Sequence, residues 1–292
     1  MLCQKITLLG VGLLGGSLGL ALRQRRLAAV VCGYVRRPES IAECQQVGAT
    51  DHATCDLKEA VRDADILVLG TPIRQMKGLV ERSLPYLKPG ALVTDMGSVK
   101  AGVVAELDPL VSAAGATFIG SHPMAGREKS GVSHATAELF QNAVCAITPL
   151  RKTPPEAVRL VRELWKGVGG RVLKLTPELH DELVSRSSHL PQIVASELAH
   201  YVLSPAQSKE QAAVCATGFR DTTRLASSFP EMWLDIVLAN RTHLARVLGV
   251  FIEGLEEFRH TIEQGDEKSI QTFFETAKQR RDAWLSHNPS PE

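Results

Sequence analysis

The chain has 292 residues, 44% of them hydrophobic, with 33 basic and 32 acidic residues giving a net charge of +1. That length leaves room for two domains with sizeable cores. The balanced charge argues against a nucleic-acid or membrane-surface footprint, so no such partner is expected and an anionic ligand must be met by local charge. Residues 1–4 run straight into the first apolar segment, and no apolar stretch approaches membrane-spanning length, so a cytoplasmic protein is expected. Six cysteines, at positions 3, 32, 44, 55, 145 and 215, show no disulfide or zinc spacing; they read as reduced thiols, and no metal site is expected.

An apolar run at 6–9 leads into Gly10-Val11-Gly12-Leu13-Leu14-Gly15 and then a helical pattern. A strand, a glycine turn and a helix in that order form a cradle for a dinucleotide phosphate. Gly10 permits the tight turn, Gly12 lets backbone approach the anion, and Gly15 lets helix and strand pack closely. The next strand, 30–34, ends at Val35-Arg36-Arg37, where an NAD site usually carries a carboxylate for the ribose. Two guanidiniums suit a 2′-phosphate instead, which favours NADP over NAD, unless the pair is only a solvated turn before Pro38.

Further strand-length runs fall at 66–70, 91–94, 117–120 and 143–148, separated by helical patterns such as 38–47 and 73–84. Continuous apolar strands alternating with helices predict a parallel sheet covered on both faces, with the last strands allowing an antiparallel edge. Ligands then bind at the carboxyl ends of the strands, among Thr71-Pro72, Asp95 to Lys100 and Ser121 to Gly126. After a helical pattern to about 168 and a strand-like run at 171–175, the rest reads as helix. Thr176-Pro177-Glu178 is a helix start. The stripe Val237, Leu244, Val247, Leu248, Phe251, Leu255, Phe258 and Ile262 predicts one helix of about thirty residues ended by Gly265, followed by a last helix over 266–284. Apolar residues off that stripe, Val250 and Ile252, suit either burial within the helical part or self-association. The fold class is therefore α/β: a Rossmann-type parallel-sheet domain at 1–170, then an all-α substrate and dimerisation domain at 171–292.

Four groups could do chemistry. His122 stands in an extended turn before Pro123, where a neutral imidazole could take a proton from a hydroxyl or could simply pack in the turn. Ser98, two positions before Lys100, could orient a hydroxyl or a cofactor amide, or cap the helix near Val99. His189 lies in Ser187-Ser188-His189-Leu190-Pro191; if the helix continues through Pro191 it bends there, leaving His189 either in a site or on a partly buried face. Arg220 and Arg224 lie four apart after Gly218-Phe219, with Asp221 a possible cap, and suit either a carboxylate ligand or surface ion pairs.

Taken together, the glycine loop, Thr71-Pro72, Asp95-Met96-Gly97-Ser98-Val99-Lys100, Gly120-Ser121-His122-Pro123-Met124-Ala125-Gly126, Ser188-His189-Leu190-Pro191 and Gly218-Phe219-Arg220-Asp221 through Arg224 closely resemble prephenate and arogenate dehydrogenases, enzymes of tyrosine biosynthesis. The resemblance spans nearly the whole chain. It implies oxidative decarboxylation of a cyclohexadienol: hydride passes to a nicotinamide, CO₂ leaves and an aromatic ring forms. It implies that His122 is the base, that Ser98 orients His122 and the nicotinamide, and that Arg224 binds a substrate carboxylate. His189 would line the pocket, and Glu128 with Arg220 would gate it. The cofactor set is Gly10, Gly12, Leu13, Leu14, Gly15, Arg36, Arg37, Thr71 and Pro72, and a homodimer through the C-terminal helices is implied. This sequence departs from the family pattern at Arg127, where several relatives have a small hydroxylated residue, and at Gln192, where many have a second histidine. A β-hydroxyacid dehydrogenase would need a Lys-x-x-Asn that is not found, and a non-catalytic NADP sensor would not need His122, His189 and Arg224 together.

Overall fold

The computed structural model describes residues 1–126 and 129–287. Its strands are β1 (Cys3–Leu9), β2 (Ala28–Tyr34), β3 (His52–Thr54), β4 (Ile66–Leu69), β5 (Leu92–Asp95), β6 (Thr117–Pro123), β7 (Val144–Thr148) and β8 (Arg171–Lys174). Between them run α1 (Leu13–Gln24), α2 (Glu39–Val47), α3 (Leu57–Val61), α4 (Ile73–Ser83), α5 (Ala101–Ala113) and α6 (Pro155–Gly167). After the sheet come α7 (Pro177–Val184), α8 (Leu190–Val202), α9 (Lys209–Ala213), α10 (Thr217–Thr223), α11 (Pro230–Ala239), α12 (Arg241–Gln264) and α13 (Glu267–His287).

The eight strands form one sheet in the order β3-β2-β1-β4-β5-β6-β7-β8. All neighbours are parallel except β6 and β7, which pair antiparallel with His122 opposite Ala146. The side chains of the central strands alternate between two cores. Leu8, Ile66 and Val68 pack with Leu18, Leu22 and Trp165 on one face, and Leu9, Leu67 and Leu69 pack with Leu79, Leu107 and Phe118 on the other. Burial on both faces is why these strands read as continuous apolar runs. The three-residue β3 left no such run. Strand order reverses between β1 and β4, which brings the loops after those two strands side by side at the carboxyl edge.

Two compact units make up the chain, Met1–Arg241 and Thr242–Glu292. β8 lies past residue 170 yet pairs with β7, so the sheet runs to Lys174. The predicted thirty-residue helix is broken at Asn240, where α11 ends, because the Asn240 side chain is turned into polar contacts described below. In the second unit, Phe258 of α12 stacks on Phe273 of α13 with ring centroids 4.0 Å apart, and Gly265, at φ +65°, forms the turn between the two helices. Val250, Ile252, Leu255 and Ile262 of α12 remain exposed. Among the described residues, no helix is long and apolar enough to cross a membrane, and no cluster of three or more His, Cys, Asp or Glu could hold a metal ion. All six cysteines are free thiols.

Candidate active site

At the switch point the glycine loop has the geometry of an anion cradle. Gly10 takes φ +103°, and a Cβ on Gly15 would stand 2.1 Å from the Gly10 carbonyl oxygen, so neither position accepts a side chain. Gly12 caps α1 with no side-chain hydrogen bond, and a Cβ there would meet nothing within 4 Å, so the chain is open at the start of the helix, where half-buried Leu13 and Leu14 follow. A cavity of about 840 Å³ begins there, with Gly10, Gly12, Arg36, Arg37, Thr71 and Pro72 in its walls. The Thr71 hydroxyl is buried without a hydrogen-bond partner, while Arg36 and Arg37 are exposed and Arg37 donates to Ser40 Oγ at 3.4 Å. An open helix N-terminus, an unsatisfied hydroxyl and two guanidiniums in one cavity fit a dinucleotide.

A chain of buried polar groups lies at the ends of β5 and β6. Asp95 closes β5, and its carboxylate accepts the N–H groups of Ser121 (3.0 Å) and Gly97 (2.8 Å) and pairs with the fully buried Lys100 ammonium. Burial pulls the Lys100 ammonium down from its ordinary pKa, against the upward pull of Asp95. His122 lies within β6 rather than in the turn after it. Its Nδ1 is 2.9 Å from Nε2 of His180, whose own Nδ1 is 2.7 Å from Asp181 Oδ1. The Asp181 carboxylate also accepts the N–H groups of Lys100 (2.7 Å) and Ala101 (2.9 Å). α5 is therefore capped by a carboxylate from α7, not by Ser98, which is half-buried in the preceding turn and makes no hydrogen bond to His122. Burial, reinforced by His180, Lys100 and His189, holds His122 well below the ordinary histidine pKa, so its imidazole is neutral.

His189 is reached from the same node. The helix does continue through Pro191, by way of a π-turn at Ser185–His189 that absorbs the missing N–H. His189 is fully buried, edge-on to Trp233 with ring centroids 5.9 Å apart. Its Nδ1 lies 3.2 Å from Asn240 Nδ2, which also donates to the Asp181 carbonyl at 2.8 Å, while its Nε2 has no partner. Burial lowers its pKa to about 4, with Asp181 opposing the fall and His180 adding to it.

Arg220 lies on α10 and Arg224 at the start of the 3-10 turn Arg224–Ser227, both exposed. They border a separate cavity of about 510 Å³ with Phe219, Thr223 and Ser227. Asp221 sits inside α10 rather than at its start, since that helix begins at Thr217. Gln192 of α8 is buried and donates to the Leu225 carbonyl at 2.9 Å, tying the turn that carries Arg224 to the helix that follows His189. The expected gate residue Glu128, like Arg127, lies outside the described residues.

The structure thus joins His122 and His189 through His180, Asp181 and Asn240, three residues that sequence reasoning did not single out. One signal was available: Pro177, His180, Asp181 and Val184 are the buried positions of α7, a core-facing stripe that carries two titratable groups.

A switch-point dinucleotide cradle and a buried neutral imidazole on the same sheet, followed by helices, fit a nucleotide-dependent oxidoreductase with a helical partner domain. The nucleotide-binding domain of prephenate dehydrogenase matches residues 18–174, and the prephenate dehydrogenase dimerization domain matches 176–278. The chain belongs to the prephenate dehydrogenase family. It is 34% identical over 283 residues to a prephenate dehydrogenase of Bacillus subtilis, covering 95% of this chain and 75% of that protein. It superposes with a TM-score of 0.88 and 31% identity on the prephenate dehydrogenase of A. aeolicus solved with hydroxyphenyl propionate and NAD+, covering 96% of this chain and 98% of that one. The arogenate dehydrogenase of Synechocystis superposes at 0.83 with 30% identity, covering 96% and 100%.

Proposed function

We propose that this protein catalyses the NAD(P)-dependent oxidative decarboxylation of a cyclohexadienol, prephenate or arogenate, in tyrosine biosynthesis. The observation that carries this reading is the buried, neutral His122 at the carboxyl edge of the sheet that holds the dinucleotide cradle. When bound, the nicotinamide supplies the hydride acceptor. His122 takes the proton of the ring hydroxyl as the carbinol carbon is oxidised to a ketone; the bond to the ring carboxylate breaks, CO₂ leaves, the electron pair of that bond completes the aromatic ring, and the proton returns to the ring oxygen. Aromatisation supplies much of the driving force, so the protein's task is positioning and providing a neutral base.

Gly10, Gly12, Leu13, Leu14 and Gly15 would hold the diphosphate and Thr71-Pro72 would border it. Arg36 and Arg37 would pair with a 2′-phosphate, which favours NADP. Ser98 would face the nicotinamide. Arg224 would take a substrate carboxylate, with Arg220 and Glu128 at the entrance and His189 in the pocket wall. The exposed apolar residues of α12 suit a homodimer formed through the C-terminal helices, and the chain would work in the cytoplasm.

The test is a two-by-two assay of prephenate and arogenate with NAD and NADP. Turnover of one or both substrates, with a higher kcat/KM for NADP, is expected. No turnover in any of the four mixtures would overturn the reaction; a preference for NAD would overturn the role of the two arginines.

A further inference from the structure

The hydrogen-bond chain that links the two histidines has a direction, and the N-terminus of α5 sets it. The N–H groups of Lys100 and Ala101 can only donate, so both oxygens of the Asp181 carboxylate act as acceptors. His180 Nδ1, 2.7 Å from Oδ1, must then carry a proton, and in a neutral imidazole that leaves Nε2 bare. Bare Nε2 of His180 requires a proton on His122 Nδ1, 2.9 Å away, which leaves His122 Nε2 as an open lone pair. The other branch runs the opposite way. One hydrogen of Asn240 Nδ2 goes to the Asp181 carbonyl and the other points to His189 Nδ1, so the His189 proton sits on its unpartnered Nε2.

We infer that Asp181 is the single node that fixes opposite tautomers on the two histidines: through His180 it leaves His122 Nε2 as a proton acceptor, and through Asn240 it leaves His189 Nε2–H as a donor. His180, Asp181 and Asn240 are positioning residues. The pair they create matches a ligand that offers a hydroxyl proton to one ring and an oxygen lone pair, from a carboxylate or a ketone, to the other. This rests on His122 being the base, but the proton positions can be read without turnover.

The experiment is nitrogen NMR of the full-length protein labelled with ¹⁵N-histidine, with the rings assigned from His122→Gln and His189→Gln. His122 is expected to show protonated Nδ1 and bare Nε2, and His189 the reverse. A proton on His122 Nε2 in the unaltered protein overturns the inference, whatever the variants do. His180→Leu should mix or reverse the His122 tautomer and lower kcat by about 10²-fold with the cofactor KM unchanged, the scale of a misdirected base. His180→Gln, which returns an acceptor oxygen near the lost Nε2, should recover part of that loss. An unchanged tautomer and kcat in His180→Leu would also overturn it. Normal turnover in His122→Asn, by contrast, would remove the base while leaving the measured tautomers standing.

Discussion

His122 and His189 are buried and tied into one hydrogen-bonded chain, whereas Arg36, Arg37, Arg220 and Arg224 stand exposed on turns and short helices. The difference follows from what each group has to be before a ligand arrives. An imidazole that is to accept a proton must be neutral, and burial keeps it so. A guanidinium keeps its charge anywhere, and exposure spares it the desolvation cost until an anion replaces the water. The helix between the two regions carries Gln192, so the buried set and the turn of Arg224 share one rigid element.

The largest expected effect tests the buried side. His122→Asn should lower kcat by about 10²–10⁴-fold, the usual contribution of a positioned base, with cofactor affinity retained. Steady-state kinetics with a separate nucleotide titration measures both, and near-normal kcat would break the contrast at its centre.

Acid is the next lever. His189 stays neutral in the folded protein down to about pH 4, while the unfolded chain takes up that proton near about pH 6.5. Between those values the unfolded state binds more protons, so stability falls as pH drops. Urea unfolding at pH 7 and pH 5 should differ by about 2 kcal/mol from this group, and His189→Gln should remove that share. Identical pH dependence in the two proteins would mean that burial does not set the state of this ring.

The smallest effect belongs to the exposed side. Arg224→Lys should raise the substrate KM by about tenfold with little change in kcat, because an ammonium cannot reproduce the guanidinium fork. Unaltered KM would move the carboxylate contact to Arg220 and sharpen the assignment of the rim.

Much of this was legible in the sequence because it is local. The glycine loop, the apolar strands and the Thr176-Pro177-Glu178 helix start each lie within a few consecutive residues, and each formed as predicted, the Thr176 hydroxyl accepting the Leu179 N–H at 3.2 Å. What stayed hidden is non-local. Asp181 caps a helix that begins 80 residues earlier, and Asn240 joins groups 51 and 59 residues away, distances at which spacing carries no signal. The same contacts explain one open reading and one misreading. The choice between cap and orienting group for Ser98 stayed open because the carboxylate that caps α5 lies in a different element. The long apolar stripe looked continuous because the break at Asn240 is imposed by its partners and not by any glycine or proline.

The π-turn at Ser185–His189 carries a last consequence. Such a turn holds one residue more than the helix needs, and each residue of an α-helix advances about 100° around its axis. Losing a single residue from this stretch would restore a regular helix at little local cost, yet swing α7 by roughly a quarter turn against α8. The buried stripe of α7, the Asp181 cap of α5 and the shared aim of His180 and His189 would be lost together, so packing and chemistry both fix the length of this segment.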